Sequence, residues 1–170
     1  MKTASDWIEL LKLQRHPEGG YYRENYRAEE ILNAQALPSR YGGPRSLCTS
    51  IYFLLAGEDK SHFHRLKSDE IWHFYDGTSL AVHALMPDGG HESWSLGPNP
   101  EDGDVLQLVI PRGAWFGAGV KKPGSFALIG CTVAPGFDFA DFELADRKNL
   151  ASLYPSHRAL IEDFTLPSSS

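Results

Sequence analysis

A series of short β-type runs separated by strong turns is the feature that most constrains how this chain folds. Between Tyr21 and Pro135, runs rich in β-branched and aromatic residues alternate with clusters of Gly, Pro, Asp and Asn, such as Asp76-Gly77. Many short strands at close spacing are typical of an antiparallel sandwich or barrel. Eight or more strands in this length match a jelly roll, which hides its sheet edges. The predicted strands span 21–27, 46–55, 61–66, 70–75, 79–86, 91–96, 105–110 and 125–133.

Helical patterns flank this β-rich region. Thr3 and Asp6 have the spacing of a capping box, and apolar residues recur at helical intervals up to Leu13. Near the other end, Asp146 is a predicted cap for a helix through Leu153, and Pro155 suits the first residue of another. No repeat or linker divides the chain, so we expect one domain over residues 1–170.

The composition excludes some classes of partner. The net charge is −6, and no basic run is longer than Lys121-Lys122, which argues against nucleic-acid and membrane-surface binding. The first residues lack the apolar run of a signal peptide, so a cytoplasmic location is expected. Cys48 and Cys131 are far apart and are predicted to be buried free thiols.

The pair of histidines at His62 and His64, followed by Glu70, is the most suggestive chemical pattern. Side chains alternate faces along a strand, so the two imidazoles are predicted to share a face, with Phe63 on the other. With a carboxylate from the next strand, they form a candidate metal site or acid–base site.

Longer strings around this pattern resemble the cupin superfamily. The spacing Gly57-x4-His62-x-His64-x5-Glu70-x6-Gly77 is close to the first cupin motif, and Gly103-x7-Pro111-x-Gly113 resembles the start of the second. The strings HPEGGYYRE at 16–24, EIWHFY at 70–75 and PGFDF at 135–139 resemble one cupin family of largely unassigned function. The resemblance implies an all-β fold, a double-stranded β-helix or cupin jelly-roll barrel with an N-terminal helix and C-terminal helices. It also implies a homodimer and a ligand cavity inside the barrel.

The chain departs from the metal-binding cupin pattern at one place. A metal cupin supplies another histidine shortly after the Pro-x-Gly of the second motif, but this chain has Trp115 and Phe116 there. A weakly held divalent metal ion on His62, His64 and Glu70 stays possible, because two histidines and one carboxylate form the facial triad of non-haem iron enzymes.

The alternative chemistry needs no metal. Two close imidazoles discourage each other's protonation and a carboxylate favours it, which gives a base and an acid in one cavity. Proton removal next to a carbonyl also needs a group that stabilises the enolate oxygen. The candidates for that group are Tyr22, Tyr52, Arg23 and Arg45; the two tyrosines join His62, His64 and Glu70 as predicted catalytic residues.

Strand alternation and aromatic character predict the walls of the ligand pocket. If Glu70 faces the cavity, Trp72 and Phe74 do so too, while His73 faces outward. Small-ligand cavities are mostly apolar, so Trp115 and Phe116 are also predicted to line the pocket, and Glu24 is a further candidate.

Other histidines and aromatic residues have weaker patterns. Two interpretations stay open for His16 and Glu18: they rim the cavity mouth, or they belong to a solvated turn shaped by the following glycines. Surface roles are expected for His83, His91 and His157, and core or lid packing is expected for Phe137, Phe139 and Phe142.

These patterns favour an enzyme that isomerises or epimerises a small polar metabolite, such as a sugar derivative. A non-catalytic small-ligand-binding protein and a metal-dependent oxygenase are the alternatives. The sequence contains no P-loop, no GxGxxG fingerprint, no GxSxG elbow and no CxxC pair.

Overall fold

The architecture is two facing antiparallel sheets with helices at both ends of the chain. A computed structural model describes residues 2–167, which contain thirteen strands and three α-helices. The helices are α1 (Ala4–Leu11), α2 (Arg147–Leu153) and α3 (Arg158–Asp163). The strands are β1 (Gln14–Arg15), β2 (Tyr21–Arg27), β3 (Ile31–Leu32), β4 (Arg45–Ser46), β5 (Thr49–Ala56), β6 (Lys60–Leu66), β7 (Glu70–Gly77), β8 (Leu80–Leu85), β9 (His91–Leu96), β10 (Gln107–Ile110), β11 (Trp115–Val120), β12 (Phe126–Val133) and β13 (Phe142–Leu144).

The two large sheets enclose the main core. One sheet has the strand order β1-β2-β5-β12-β7-β10 and the other has the order β13-β6-β11-β8-β9, while β3 and β4 form a small pair. Neighbouring strands in each sheet run antiparallel. Phe53, Trp72 and Ile129 of the first sheet pack in one buried cluster with Val82 and Phe116 of the second. The predicted all-β fold with terminal helices is confirmed.

Both helical ends cover an outer sheet face. Helix α1 begins with the predicted capping box between Thr3 and Asp6, and its apolar side packs against Leu54 and Leu128. The C-terminal helices cover Phe63 on the other sheet, and Asp146 caps α2 as predicted. Within residues 2–167, no helix combines the length and apolar character needed to cross a membrane.

Strand β11 was missing from the predicted strands, although it lies between β6 and β8 in the second sheet. Its two glycines gave no β-type pattern. A side chain at Gly117 would place its Cβ 2.7 Å from the carbonyl oxygen of Ser61, so the small residue permits close approach of β6. The strand is therefore specified by a packing requirement between chain segments far apart in sequence.

The pairing of β6 with β11 contains a register shift that changes which side chains point inward. Phe116 pairs with His64 but Ala118 pairs with Ser61, so β6 has one extra residue between the two pairs. Such a bulge breaks the alternation of faces. As a result Ser61 and His64 both contact interior groups, and the prediction that His62 and His64 share a face is wrong.

Candidate functional site

A cavity of about 530 Å³ lies inside the barrel, at the end where β6 stops and β7 starts. Its volume is in the range of small-molecule sites. Its walls are largely aromatic, and its exposed rim includes Glu24, Arg27 and Asp138. The aromatic residues that line it are Tyr22, Phe53, Trp72, Phe137, Phe139 and Phe142.

Glu18 is the buried centre of the polar groups on one wall. It is 6% exposed, and its Oε1 accepts a hydrogen bond of 2.7 Å from the Ser61 hydroxyl. Its Oε2 lies 3.2 Å from Nε2 of His64 and 3.4 Å from Nδ1 of His16. The carboxyl group thus connects two imidazoles that come from different segments of the chain.

The turn after Glu18 positions this carboxyl group. Gly19 has a φ of +109°, and an added Cβ there would lie 2.0 Å from the Lys60 carbonyl oxygen. The backbone N–H of His62 donates to the Glu18 carbonyl at 2.8 Å, and its ring Nδ1 lies 2.6 Å from the same oxygen. Because only glycine tolerates both the positive φ and the close approach, the segment docks tightly on β6.

The hydrogen bonds of His64 define the tautomer of its neutral ring, and hence which nitrogen can accept a hydrogen bond from Glu18. Nδ1 lies 2.8 Å from the His62 carbonyl, which can only accept, so Nδ1 carries the hydrogen in the neutral ring. Burial lowers the pKa of His64 to about 3. Burial, followed by the nearby charge of Glu70, raises the pKa of Glu18 well above its ordinary value. Both shifts favour the neutral forms of the pair, in which the Glu18 carboxyl can donate to His64 Nε2 at 3.2 Å.

Glu70 begins β7 and is the second buried carboxyl group of the cavity. It is 7% exposed, and burial raises its pKa to about 7, against the smaller opposing effects of the neighbouring Trp72 N–H and Cys131 thiol. Its Oε2 and the Trp72 Nε1 have no hydrogen-bond partner within residues 2–167, although both side chains line the cavity. The buried thiol of Cys131 also lines this wall, and burial raises its pKa. A carboxyl group with a pKa near neutrality and a free oxygen is suited to donate a proton to a ligand or accept one from it.

The family model described as Cupin superfamily (DUF985) matches residues 5–145. The chain belongs to the cupin superfamily. It is similar to solved structures of protein SO0799 from Shewanella oneidensis, with 39% identity and a TM-score of 0.89 over 99% of this chain and 100% of that one. A hypothetical protein from Leishmania major gives 36% identity and a TM-score of 0.88 over 98% of this chain and 100% of that one. Uncharacterized protein YML079W from Saccharomyces cerevisiae is 29% identical over 149 residues, which are 82% of this chain and 72% of the yeast protein. These names assign no activity, so the likeness establishes family and fold.

Half of the predicted site residues lie on the cavity wall of this cupin. The bulge in β6 leaves His62 outside the lining and directs it to the backbone of Glu18. Tyr52 also lies outside, on the outer sheet face, where its ring is 6.1 Å from that of Tyr75. The predicted residues that do line the cavity are His64, Glu70, Tyr22, Trp72 and Glu24.

Three predicted pocket residues are displaced from the lining. Phe74 packs against the main core. Trp115 lies in the core beneath the C-terminal helices, with the Arg65 guanidinium 4.5 Å from its ring centroid. Phe116 is buried behind His64, with the two ring centroids 4.1 Å apart, and supports the imidazole without lining the cavity. The unpredicted strand β11 explains the last two, because it places consecutive residues on opposite faces.

The predicted metal triad is not assembled. Among residues 2–167, no group of three or more His, Cys, Asp or Glu side chains is arranged to hold a metal ion. His62, His64 and Glu70 do not converge, because His62 lies outside the cavity lining. The donors that do converge on His64 are carboxyl and hydroxyl groups already bonded to one another.

Arg23 and Arg45, the two arginines that were candidates to stabilise an enolate oxygen, are already bound to other groups of the protein. Arg23 lines the cavity but donates to the Leu11 carbonyl at 2.8 Å. Arg45 is buried in a two-pronged ion pair with Asp141, at 2.6 and 2.7 Å. At the rim, Glu24 forms a similar pair with Arg27, at 2.9 and 2.7 Å. Tyr22 and the Trp72 N–H are therefore the nearer candidates.

The segment before β2 contributes more to the cavity than its sequence pattern predicted. Glu18 is buried, so its interpretation as a solvated turn residue is wrong, and His16 lines the cavity with its pKa lowered by burial to about 4. The paired glycines after Glu18 were the available sign of close packing. Phe137, Phe139 and Phe142, for which core or lid packing was expected in preference to a substrate platform, also line the cavity, and Phe137 and Phe142 pack against the main core.

The remaining histidines and Cys48 lie away from the cavity. His73 faces outward as predicted and lies 2.9 Å from Gln107 Nε2. His83 and His91 lie side by side at 3.3 Å, with His157 next to them. Both cysteines are free, but Cys48 is only half-buried.

Proposed function

We propose that this cupin binds a small polar metabolite in its barrel cavity and catalyses proton transfer on it, in an isomerisation or epimerisation. The observation that carries the proposal is Glu70, a buried carboxyl group whose pKa is raised to about 7 and whose Oε2 is unpartnered in the cavity. A group with a pKa near the working pH is present in both protonation states, so it can remove a proton and return one.

The proposed step is the removal of a proton from a carbon next to a carbonyl group. Ionised Glu70 takes that proton, and the electron pair of the C–H bond moves to the carbonyl oxygen as an enolate. The unpartnered Trp72 N–H is the proposed donor to this oxygen. Return of this proton by Glu70 to the carbonyl carbon, while the hydroxyl proton of the neighbouring carbon moves to the enolate oxygen, gives the isomer and restores ionised Glu70. Delivery of a proton to the opposite face of the original carbon by a second acid gives the epimer, and Glu70 then loses its proton to solvent.

The Glu18–His64 pair is the proposed second proton store. Glu18 Oε2 and His64 Nε2 lie 3.2 Å apart, so the pair can share one proton. Its release to a ligand leaves the pair with one negative charge, and its return makes the pair neutral again. A second acid–base group allows a proton to be exchanged at a different position of the ligand. Tyr22, whose ring is 4.5 Å from that of His16, is a further proposed participant beside this pair.

The lining supports a small, partly polar ligand such as a sugar derivative. Aromatic rings cover most of the wall, and a few polar groups are concentrated around Glu18 and Glu70. This distribution is typical of small-molecule sites, where apolar contacts give affinity and a few polar groups fix orientation.

A non-catalytic ligand-binding role is the second candidate. It is favoured by one observation: Glu18 is already bonded to Ser61 and close to His64, as in a purely structural network. The two candidates differ in whether a bound ligand exchanges protons with solvent.

Solvent-exchange NMR tests the proposal. The protein is incubated in D2O with a panel of hydroxy-carbonyl metabolites, and deuterium incorporation at carbon is followed. We expect incorporation with the wild-type protein and a loss of about a hundredfold or more in Glu70→Gln. Glu92→Gln, an exposed carboxylate on β9, is the matched control and should retain the wild-type rate. Equal rates in the two variants would remove Glu70 from the mechanism, and tight binding without exchange would establish the second candidate.

A further inference from the structure

A second groove lies beside the cavity at the same end of the barrel. Its volume is about 480 Å³, and it shares the wall residues Leu66 and Phe142 with the cavity. Unlike the cavity, it is lined mainly by charged side chains. These are Arg40, Arg65, Lys67, Arg112, Asp141 and Glu143.

The groove is cationic although the whole chain is acidic. The chain has a net charge of −6, yet four cationic side chains face two carboxylates here. One of those carboxylates, Asp141, is already paired with Arg45, which does not line the groove. Since Asp141 is neutralised from outside, the groove has more positive charge than its own lining suggests.

Two of the cations have no carboxylate partner. Glu143 pairs with Arg65 at 2.7 Å, and Lys67 lies 3.3 Å from Asp141. Within residues 2–167, neither the guanidinium of Arg40 nor that of Arg112 has a carboxylate oxygen within 4 Å. The backbone N–H of Arg112 donates to Asp69 Oδ1 at 2.8 Å, which leaves its guanidinium without an ion pair. Unpaired guanidinium groups in a concave site are the typical recognition elements for phosphate-type oxyanions.

Aromatic rings restrict the orientation of the arginines. The Arg40 guanidinium lies 4.8 Å from the ring centroid of Tyr41, and its Nε donates to the Lys67 carbonyl at 2.9 Å. Arg65 lies over Trp115 at 4.5 Å. A guanidinium group held in this way loses less conformational entropy when its remaining N–H groups bind an anion.

We propose that this groove is a binding subsite for a phosphoryl group. A phosphate dianion matches the two unpaired guanidinium groups in charge, and its oxygens accept the paired N–H bonds that arginine offers. If the cavity acts as proposed above, the neighbouring subsite makes phosphorylated metabolites its preferred ligands. This assignment of the cavity's ligand rests on the proposed function. Phosphate binding in the groove does not depend on that function.

Titration with inorganic phosphate, followed by calorimetry against sodium chloride of equal ionic strength, tests the subsite. We expect saturable binding to the wild-type protein and association weaker by about tenfold or more in the double variant Arg40→Gln/Arg112→Gln. Arg158→Gln removes the same kind of charge from the exposed start of α3 and should change association by less than about twofold. No saturable binding to wild-type protein, or equal losses in the groove and control variants, would overturn the proposal.

A variant that is expected to bind phosphate more tightly distinguishes a specific loss of binding from a loss of folding. Glu143→Gln releases Arg65 from its ion pair, so phosphate association should rise by about threefold. A decrease in that folded variant would contradict the subsite. Glu70→Gln should bind phosphate like the wild-type protein, so a failure of the subsite and a failure of the cavity chemistry are distinguishable.

Discussion

The cavity and the cationic groove lie side by side, yet each contains a buried carboxyl group whose pKa is shifted in the opposite direction from that of the other. Glu70 in the cavity and Asp141 in the groove are both 7% exposed. Burial raises the pKa of Glu70 to about 7. Burial also acts to raise the pKa of Asp141, but the hydrogen bonds and charges of Arg45 and Lys67 outweigh it and leave that pKa below its ordinary value.

The difference shows that burial alone does not determine the charge of a carboxyl group. A neighbouring guanidinium holds the pKa of Asp141 below its ordinary value. Within residues 2–167, no Arg or Lys pairs with Glu18 or Glu70, and burial raises the pKa of both carboxyl groups. The groove is therefore suited to hold a charged group, and the cavity is suited to exchange protons. Four predictions test this contrast.

Removing the guanidinium that keeps Asp141 ionised should have the largest effect. Arg45→Met leaves Asp141 buried without its main partner and should lower the free energy of unfolding by about 3–5 kcal/mol. Urea denaturation at neutral pH measures the loss. The double variant Arg45→Met/Asp141→Leu should recover most of it, because both charges are then gone. A loss below about 1 kcal/mol in the single variant would show that this ion pair contributes little.

His64 should make the protein sensitive to acid. Its pKa is lowered to about 3 in the folded state, so below its ordinary pKa of 6.5 the unfolded chain binds a proton that the folded protein does not. The free energy of unfolding should therefore decrease as the pH is lowered. Between about pH 7 and pH 4, the wild-type protein should lose about 3 kcal/mol more of it than His64→Gln loses. Denaturation curves at several pH values give both slopes. Parallel slopes would mean that folding does not shift the pKa of His64.

Glu70 should act in the opposite direction. Its folded-state pKa of about 7 lies above its ordinary value of 4.5, so its contribution is fully present below the ordinary value and is lost as the pH rises through 7. Relative to Glu70→Gln, the wild-type protein should lose about 2–3 kcal/mol between about pH 5 and pH 8. An equal stability difference at both ends of this range would show that Glu70 is ionised throughout.

The exposed pair of the groove should contribute least. Side chains of Arg65 and Glu143 are 43% and 54% exposed, so Glu143→Gln should lower the free energy of unfolding by less than about 1 kcal/mol. Urea denaturation at low and high salt measures this small change. A loss comparable to that of Arg45→Met would remove the distinction between the buried and exposed pairs.

The fold was largely predictable from the sequence because it depends on local patterns. Turn residues and β-type runs predicted most strands, while the Thr3 and Asp146 caps marked two helices. Strand β11 escaped because Gly117 is selected by the approach of the Ser61 carbonyl, which is a tertiary contact. The local β-propensity of a segment cannot predict such a contact.

The candidate site was predicted only in part, since strand alternation fails where a strand is bulged. Glu70, Trp72 and His64 were expected at the cavity and line it, whereas one extra residue in β6 leaves His62 outside the lining. Glu18 lies 44 residues before His62, whose N–H it accepts, and that long-range docking cannot be derived from spacing in β6. The paired glycines after Glu18 marked the turn but not its partner.

The protonation of the cavity carboxyl groups is the central claim, and carbon-13 NMR of the side-chain carboxyls tests it most directly. In protein labelled at glutamate Cδ, with Glu70→Gln and Glu18→Gln used for assignment, the Glu70 resonance should titrate with a pKa of about 7. The Glu18 resonance should stay in its protonated position well above the ordinary glutamate range. Titration of both resonances near the ordinary value of 4.5 would contradict the account of a cavity that stores protons.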